Sequence, residues 1–199
     1  MTKRAVIFGS SGGIGSATCK AFRNAGYLVT PVSSGNINFV YIQSHTQVEE
    51  LLAQTDPDVV VNCVGHFDKS NFETHSNTFD INVGSNWSII RYYINKEGND
   101  KPVKIIMVGS SAYKSGRKDY ILYAASKAAL YNIWQGACEY FKGNNITVGL
   151  INPVKTRTAM IDVKTSAVCL EPEDVAQEIL SMASVNSNQL IDMKYPEEN

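Results

Sequence analysis

The sequence predicts an α/β domain built on a doubly wound parallel sheet of about seven strands, with helices on both faces. Three observations carry this expectation. Short β-prone apolar runs alternate with stretches of helical periodicity along the 199 residues, and that order winds strands into parallel neighbours. From Val59 to Val64 the chain is apolar apart from Asn62 and Cys63, as in a strand buried on both faces. The run Arg4–Phe8 passes through a glycine cluster straight into a helical stretch, the strand–turn–helix unit of dinucleotide-binding sheets.

The elements follow in order. Strands are expected at Arg4–Phe8, Tyr27–Val32, Asn38–Ile42, Asp58–Asn62, Val103–Val108, Ile146–Asn152 and Gln189–Met193. Helices are expected at Gly13–Ala25, where Gly26 ends the helix, and at Gln47–Gln54, Asn77–Asn95, Tyr123–Phe141 and Pro172–Ala183. The whole chain reads as a single domain. Between the second and third strands only SSGNI intervenes, too little for a crossover helix.

Composition excludes several classes. With 44% hydrophobic and 19% charged residues, the chain has the make-up of a soluble globular protein. A net charge of −1 argues against a general nucleic-acid or membrane surface. No apolar run precedes the first strand and none reaches membrane-spanning length, so a cytoplasmic protein is expected. Cys19, Cys63, Cys138 and Cys169 lack disulfide or metal-ligand spacing and read as small buried hydrophobes. His45, His66 and His75 are scattered, and no metal is expected.

Two constellations carry chemistry. Gly9, Gly12, Gly13 and Gly15 separate the first strand from the first helix. Such a turn brings backbone amides and a helix N-terminus against a pyrophosphate. Its G-x-x-x-G-x-G spacing differs from G-x-G-x-x-G, and a plain strand-to-helix turn also uses glycine. The second constellation is Tyr123 and Lys127, four residues apart on one helical face, with Ser110 closing the strand upstream. A free phenol titrates near ~10, and a neighbouring ammonium is expected to lower that value toward the working range. Alone, the pair reads equally as two common helix residues. Gly9, Asn62, Ser110 and Pro153 all fall at carboxyl ends of expected strands, where ligands bind in such sheets.

With these residues in view, the chain resembles the short-chain dehydrogenase/reductases over nearly its whole length. Gly9, Gly13 and Gly15 match the family's glycine motif, and Asn62-Cys63-Val64-Gly65 stands at its Asn-Asn-Ala-Gly. Asn82 matches the asparagine of the catalytic tetrad, Ser110 lies thirteen positions before Tyr123, and Asn152-Pro153 and Thr158 follow the sixth strand. Departures are Phe8 for threonine, Cys63 and Val64 for Asn and Ala, and Val154 for glycine.

The resemblance implies a Rossmann-like fold and hydride transfer between a nicotinamide and a carbonyl/alcohol pair. It casts Tyr123 as proton donor, Lys127 as its helper, Ser110 as carbonyl ligand and Asn82 as holder of a proton-resupply water. Cofactor contacts would come from Gly9, Ser10, Ser11, Gly13, Ile14 and Gly15 in the turn. Ser33, Ser34, Asn62 and Gly65 would add others, with Tyr123, Lys127, Pro153, Thr156 and Thr158. It further implies a homodimer or homotetramer packed through the Asn82 and Tyr123 helices, and a short flap after Asn152 over an open pocket.

Ser33 takes the place of the acid that would hold NAD's ribose, so NADP is favoured modestly; the same serines also suit a turn. Lys114, Arg117 and Lys118, with Lys155 and Arg157, would suit an anionic substrate or simply a solvated loop. The segment INPVKTRTAM with LEPEDVAQ is similar to reductase modules of bacterial polyol-phosphate and surface-polysaccharide pathways. His66 reads as a surface or packing histidine, and Trp87 and Tyr92 as core or interface residues. Two rival functions stay open: a redox-sensing dinucleotide binder, and an epimerase or dehydratase using the same Tyr–Lys pair.

Overall fold

The strands β1 (Arg4–Phe8), β2 (Leu28–Val32), β3 (Val59–Asn62), β4 (Val103–Val108), β5 (Ile146–Asn152) and β6 (Gln189–Asp192) form one sheet in the computed structural model. It describes residues 2–37, 39, 44–67, 77–96, 98, 100–160 and 168–195. The spatial order is β2-β1-β3-β4-β5-β6 and all pairings are parallel. Among the described residues the sheet therefore has six strands rather than about seven. The expected strand Asn38–Ile42 lies outside them except for Phe39, a buried turn residue whose ring meets Phe8 edge-on.

Alternation along the strands builds two cores. Val6, Phe8, Val60, Ile105 and Met107 point to one face, under α2 (Ser44–Thr55), α3 (Ser85–Asn95) and α4 (Ile121–Tyr140). Ala5, Ile7, Val59, Val61 and Ile106 point to the other, under α1 (Gly13–Asn24) and α5 (Pro172–Ala183). Every residue of β3 and β4 is buried, and each large aliphatic side chain so covered contributes about 1.5–3 kcal/mol. A reciprocal capping box between Glu171 and Asp174, with Pro172 in the first turn, starts α5.

The chain's winding reverses between β1 and β3, which leaves a crevice at their carboxyl ends. Two short distortions border it. Asp80–Gly84 forms a π-helical turn in front of α3, where one unbroken helix was expected from Asn77. Ser111–Lys114 forms a 3-10 turn after β4, and Ser110 caps it by accepting from the Ala112 N–H at 3.2 Å.

Candidate active site

The glycine turn is shaped for close approach. Gly9 has φ of 78°, and a Cβ there would lie 2.8 Å from the Cys63 carbonyl carbon; only glycine fits. A Cβ on Gly13 would lie 2.8 Å from Thr158 Cγ2, and one on Gly15 would strike the Gly9 carbonyl. Helix α1 starts at N-cap Gly12 with no side-chain cap and no acid in its first turn. Its leading amides are left to an anionic ligand.

Two adjoining cavities occupy the crevice. One, of about 260 Å³, is lined by Gly9, Ser11, Gly12, Ser33, Ser34 and His66 among others. The other, of about 500 Å³, takes in Ser110, Tyr123 and Lys127, together with Ile14, Pro153, Thr156 and Thr158. Cys63, Val64, Gly65 and Met160 line both, so the two are continuous. No carboxylate lines the smaller cavity among the described residues.

The remaining sequence-selected residues lie behind this surface. Ser10 contributes its N–H to the Val32 carbonyl at 3.0 Å. Gly13 and Gly15 pack the turn. Buried Asn62 donates to Ser85 Oγ at 2.9 Å and accepts from the Val64 N–H at 3.0 Å, shaping the loop after β3. Asn82 is fully buried. Its Oδ1 accepts from the His66 N–H at 2.7 Å, and its Nδ2 donates to the His66 carbonyl at 3.0 Å and to Ser126 Oγ at 2.9 Å. Its own carbonyl accepts from Asn86 Nδ2 at 2.8 Å. The amide thus clamps the loop carrying Gly65. The π-helical turn is what swings it inward, a common use of such turns.

The candidate reacting groups sit on α4 and at the end of β4. Lys127 is buried, donates to the Val108 carbonyl at 3.1 Å, and stands 5.6 Å from the centre of the Tyr123 ring. Burial pushes the Tyr123 phenol above its ordinary value, and a hydrogen bond from Ser110 pulls part of that back. Burial is the larger effect, so the phenol stands above its ordinary value rather than below it as expected. Burial pulls Lys127 itself down to about 8. Burial also pushes the neighbouring Cys63 thiol up to about 12 and keeps it neutral.

Ser110 is held from behind. Its N–H donates to Asn152 Oδ1 at 3.1 Å, and Asn152 Nδ2 donates to Asp192 Oδ1 at 3.1 Å. Asp192 Oδ2 in turn receives Lys114 Nζ at 2.7 Å and the Tyr113 hydroxyl at 3.1 Å. Lys114 is therefore engaged away from the cavity, as is Arg157, paired with Glu171 at 2.8 Å. Arg117 and Lys155 line the larger cavity and Lys118 does not.

Residues the sequence did not single out complete the site. Ser126 bridges the Tyr123 carbonyl, at 2.7 Å, to Asn82; its place three residues after Tyr123 was the available signal. Phe67 meets the rings of Tyr120 and Tyr123 with centroids 5.3 and 4.9 Å apart. Met160 spans the junction of the cavities. Phe67 and Met160 lie in loops with no periodic pattern to reveal them.

The described residues contain no cluster of three or more metal-ligating side chains and no helix long and apolar enough to cross a membrane. A parallel sheet with its crevice at the β1–β3 reversal, a glycine turn on an uncapped helix, and a buried Tyr–Lys–Ser group define a dinucleotide-binding α/β enzyme.

A model of the NAD dependent epimerase/dehydratase family matches residues 5–154. The chain belongs to that family and is a short-chain dehydrogenase/reductase. It is 28% identical over 176 residues to 2,3-dihydro-2,3-dihydroxybenzoate dehydrogenase of Escherichia coli, covering 79% of this chain and 71% of that one. Over 74 residues it is 35% identical to a bifunctional ribulose 5-phosphate reductase/CDP-ribitol pyrophosphorylase of Haemophilus influenzae. That match covers 37% of this chain and spans only 15% of the Haemophilus protein. The solved structure of ElxO with NADP bound superposes with a TM-score of 0.80 at 19% identity, covering 96% of this chain and 97% of that one.

Proposed function

We propose that this protein uses NADPH to reduce a carbonyl compound to an alcohol, with Tyr123, Lys127, Ser110 and Asn82 as its working residues. One observation carries the reading: Ser110, Tyr123 and Lys127 share one wall of a cavity that runs on into the glycine turn. The turn fits a dinucleotide, because Gly9, Gly13 and Gly15 let it fold tightly where a Cβ would strike the chain's own atoms, and Gly9, Ser11 and Gly12 then line the smaller cavity at the uncapped start of α1. Gly9, Ser11, Gly12, Ser33 and Ser34 would hold the adenosine and phosphate end, and Ile14, Gly65, Pro153, Thr156 and Thr158 the nicotinamide end. When bound, NADPH supplies the reducing equivalent.

The chain's own residues do the rest. The Ser110 hydroxyl orients and polarises the carbonyl oxygen. The Tyr123 phenol gives its proton to the alkoxide oxygen that develops there. Lys127 steadies the resulting phenolate with its positive charge. Asn82 and Ser126 keep the loop and the first turn of α4 in register. Assembly as a homodimer or homotetramer through α3 and α4 belongs to the same reading, with Trp87 and Leu122 exposed at 44% and 48%.

The charge on Lys127 sets a pH dependence. Its ammonium is intact below about 8 and is lost as pH rises through that value, while Tyr123, raised by burial, stays protonated. Reductive kcat/KM is expected to fall on the alkaline side with an apparent pKa near 8. A profile flat to pH 10 would remove Lys127's charge from the mechanism.

Cofactor choice gives a further expectation. With no acid lining the cavity at Ser33 and Ser34, NADPH should bind more tightly than NADH in a fluorescence titration. Ser33→Asp should erase or reverse the preference, by placing a carboxylate against the 2′-phosphate. Tighter binding of NADH by the wild type would assign the ribose contact to another residue.

The assay that decides the function follows the absorbance of reduced nicotinamide against a broad carbonyl panel. Turnover supports the reductase. Nucleotide binding without turnover would identify a redox-sensing binder. The matched family's description also covers epimerases and dehydratases; nucleotide that copurifies tightly, with product formed and no net redox change, would point to them.

A further inference from the structure

Within the reductase reading, which this inference presupposes, we infer that the substrate carries a phosphate monoester held between Arg117 and Lys155. The basis is the distribution of charge around the larger cavity. Five basic side chains border its mouth in sequence, and the fold sorts them. Lys114 is neutralised by Asp192 and Arg157 by Glu171. Lys118 does not reach the cavity. Arg117 and Lys155 line it, and neither forms an ion pair or hydrogen bond through its side chain with any described residue. No aspartate or glutamate lines that cavity among the described residues. Two cations that pair with no described residue, in a cavity that no described acid lines, make a positive field that calls for an anion.

The two cations come from segments whose backbones are held. Arg117 opens a turn closed by the Tyr120 N–H on the Arg117 carbonyl at 3.2 Å. Tyr120 is braced by Phe67. Lys155 sits beside a parallel bridge between Thr156 and Leu170, its carbonyl accepting from the Leu170 N–H at 2.9 Å. The substrate's charge is thus met by side chains on placed backbone.

The ligand's chemistry follows from the count and type of these groups. A phosphate monoester carries close to two negative charges at neutral pH, matching one guanidinium and one ammonium. A guanidinium also presents the planar fork that fits phosphate oxygens. The cofactor's phosphates belong elsewhere: neither Arg117 nor Lys155 lines the smaller cavity that holds the glycine turn. A cavity of about 500 Å³ that shares its wall with Tyr123 leaves room for a short carbonyl compound with the phosphate at its far end.

The test pairs turnover with direct binding in the full-length protein. NADPH oxidation is measured with dihydroxyacetone phosphate and ribulose 5-phosphate beside dihydroxyacetone and ribulose. Binding of inorganic phosphate to the NADP-loaded protein is measured by calorimetry. The phosphorylated ketoses should be used with kcat/KM about a hundredfold above their neutral counterparts. Arg117→Ala and Lys155→Ala should each raise KM for the phosphorylated compound about tenfold more than for the neutral one, and should weaken phosphate binding in parallel. Equal use of both classes, or variants whose loss falls on NADPH affinity, would each overturn the assignment. If no carbonyl is reduced at all, the reductase reading fails by itself. Phosphate binding that both variants weaken would then still support the anion site, and its absence would overturn it.

Discussion

Tyr123→Phe is expected to lower reductive turnover by about two orders of magnitude or more while leaving NADPH binding nearly unchanged. The substitution removes one oxygen and keeps the ring, so the edge-on contact with Phe67 and the neighbouring Tyr120 ring persist. What disappears is the proton donor and the acceptor of the Ser110 hydrogen bond. Without the phenol, the developing alkoxide has only the Ser110 hydroxyl to meet it, which can orient the carbonyl but is a far weaker acid. The loss should therefore fall on kcat and on kcat/KM alike, the sign of an interaction made in the transition state. A fluorescence titration with NADPH supplies the control, because a misfolded variant would lose both properties together. A variant turning over near the wild-type rate would sink the assignment of Tyr123.

Asn82→Ala should damage stability and catalysis at once. The fully buried amide makes three hydrogen bonds, two of them to the backbone of His66. Truncation leaves the His66 N–H and carbonyl without their partner at a part-buried position beside the cavity, where water answers some of the loss, so each costs at most the about 1–3 kcal/mol of an unsatisfied buried group. A net loss of about 3 kcal/mol corresponds to a melting temperature lower by roughly 6–12 °C for a chain of this size. The loop it releases carries Gly65, whose position is within reach of both Asn82 and Lys127, so turnover should fall about tenfold or more below the melting range. Asn82→Asp makes the informative comparison: it keeps the acceptor for the His66 N–H but sets a carboxylate oxygen against the His66 carbonyl. A melting temperature unchanged in Asn82→Ala would show that the loop is held by something else.

How much of this was legible depended on how the residues are buried. Strands such as Val103–Val108 and Ile146–Asn152 have the bounds that their apolar runs announced, because a strand covered on both faces is dominated by apolar residues and stands out from its polar flanks. Helix α5 likewise has the expected bounds Pro172–Ala183. The pairing of Tyr123 with Lys127 was legible because a helix fixes the relation of residues four apart.

The π-helical turn was not, since the residues of Asp80–Gly84 suit an ordinary helix and only tertiary contacts draw Asn82 inward. Nor could the sequence sort its basic residues. Lys114 and Arg117 stand in one short loop, yet one meets Asp192, 78 positions away, and the other lines the cavity. The direction of the Tyr123 shift was misread for a similar reason: burial of the phenol is set by α4 docking on the sheet, and it outweighs the charge expected beside it.

The tether running from Asp192 through Asn152 to the Ser110 amide has a consequence for the order in which the site is completed. β6 is the last element of the described chain to leave the ribosome, and it adds alongside β5 only then. Until Asp192 has emerged, the Asn152 side chain that holds the Ser110 N–H lacks its own second partner, although Tyr123 and Lys127 were made long before. A nascent chain can thus gather its nucleotide-binding half before the brace behind Ser110 is complete. That brace is completed only by β6, as a latch closing behind Ser110.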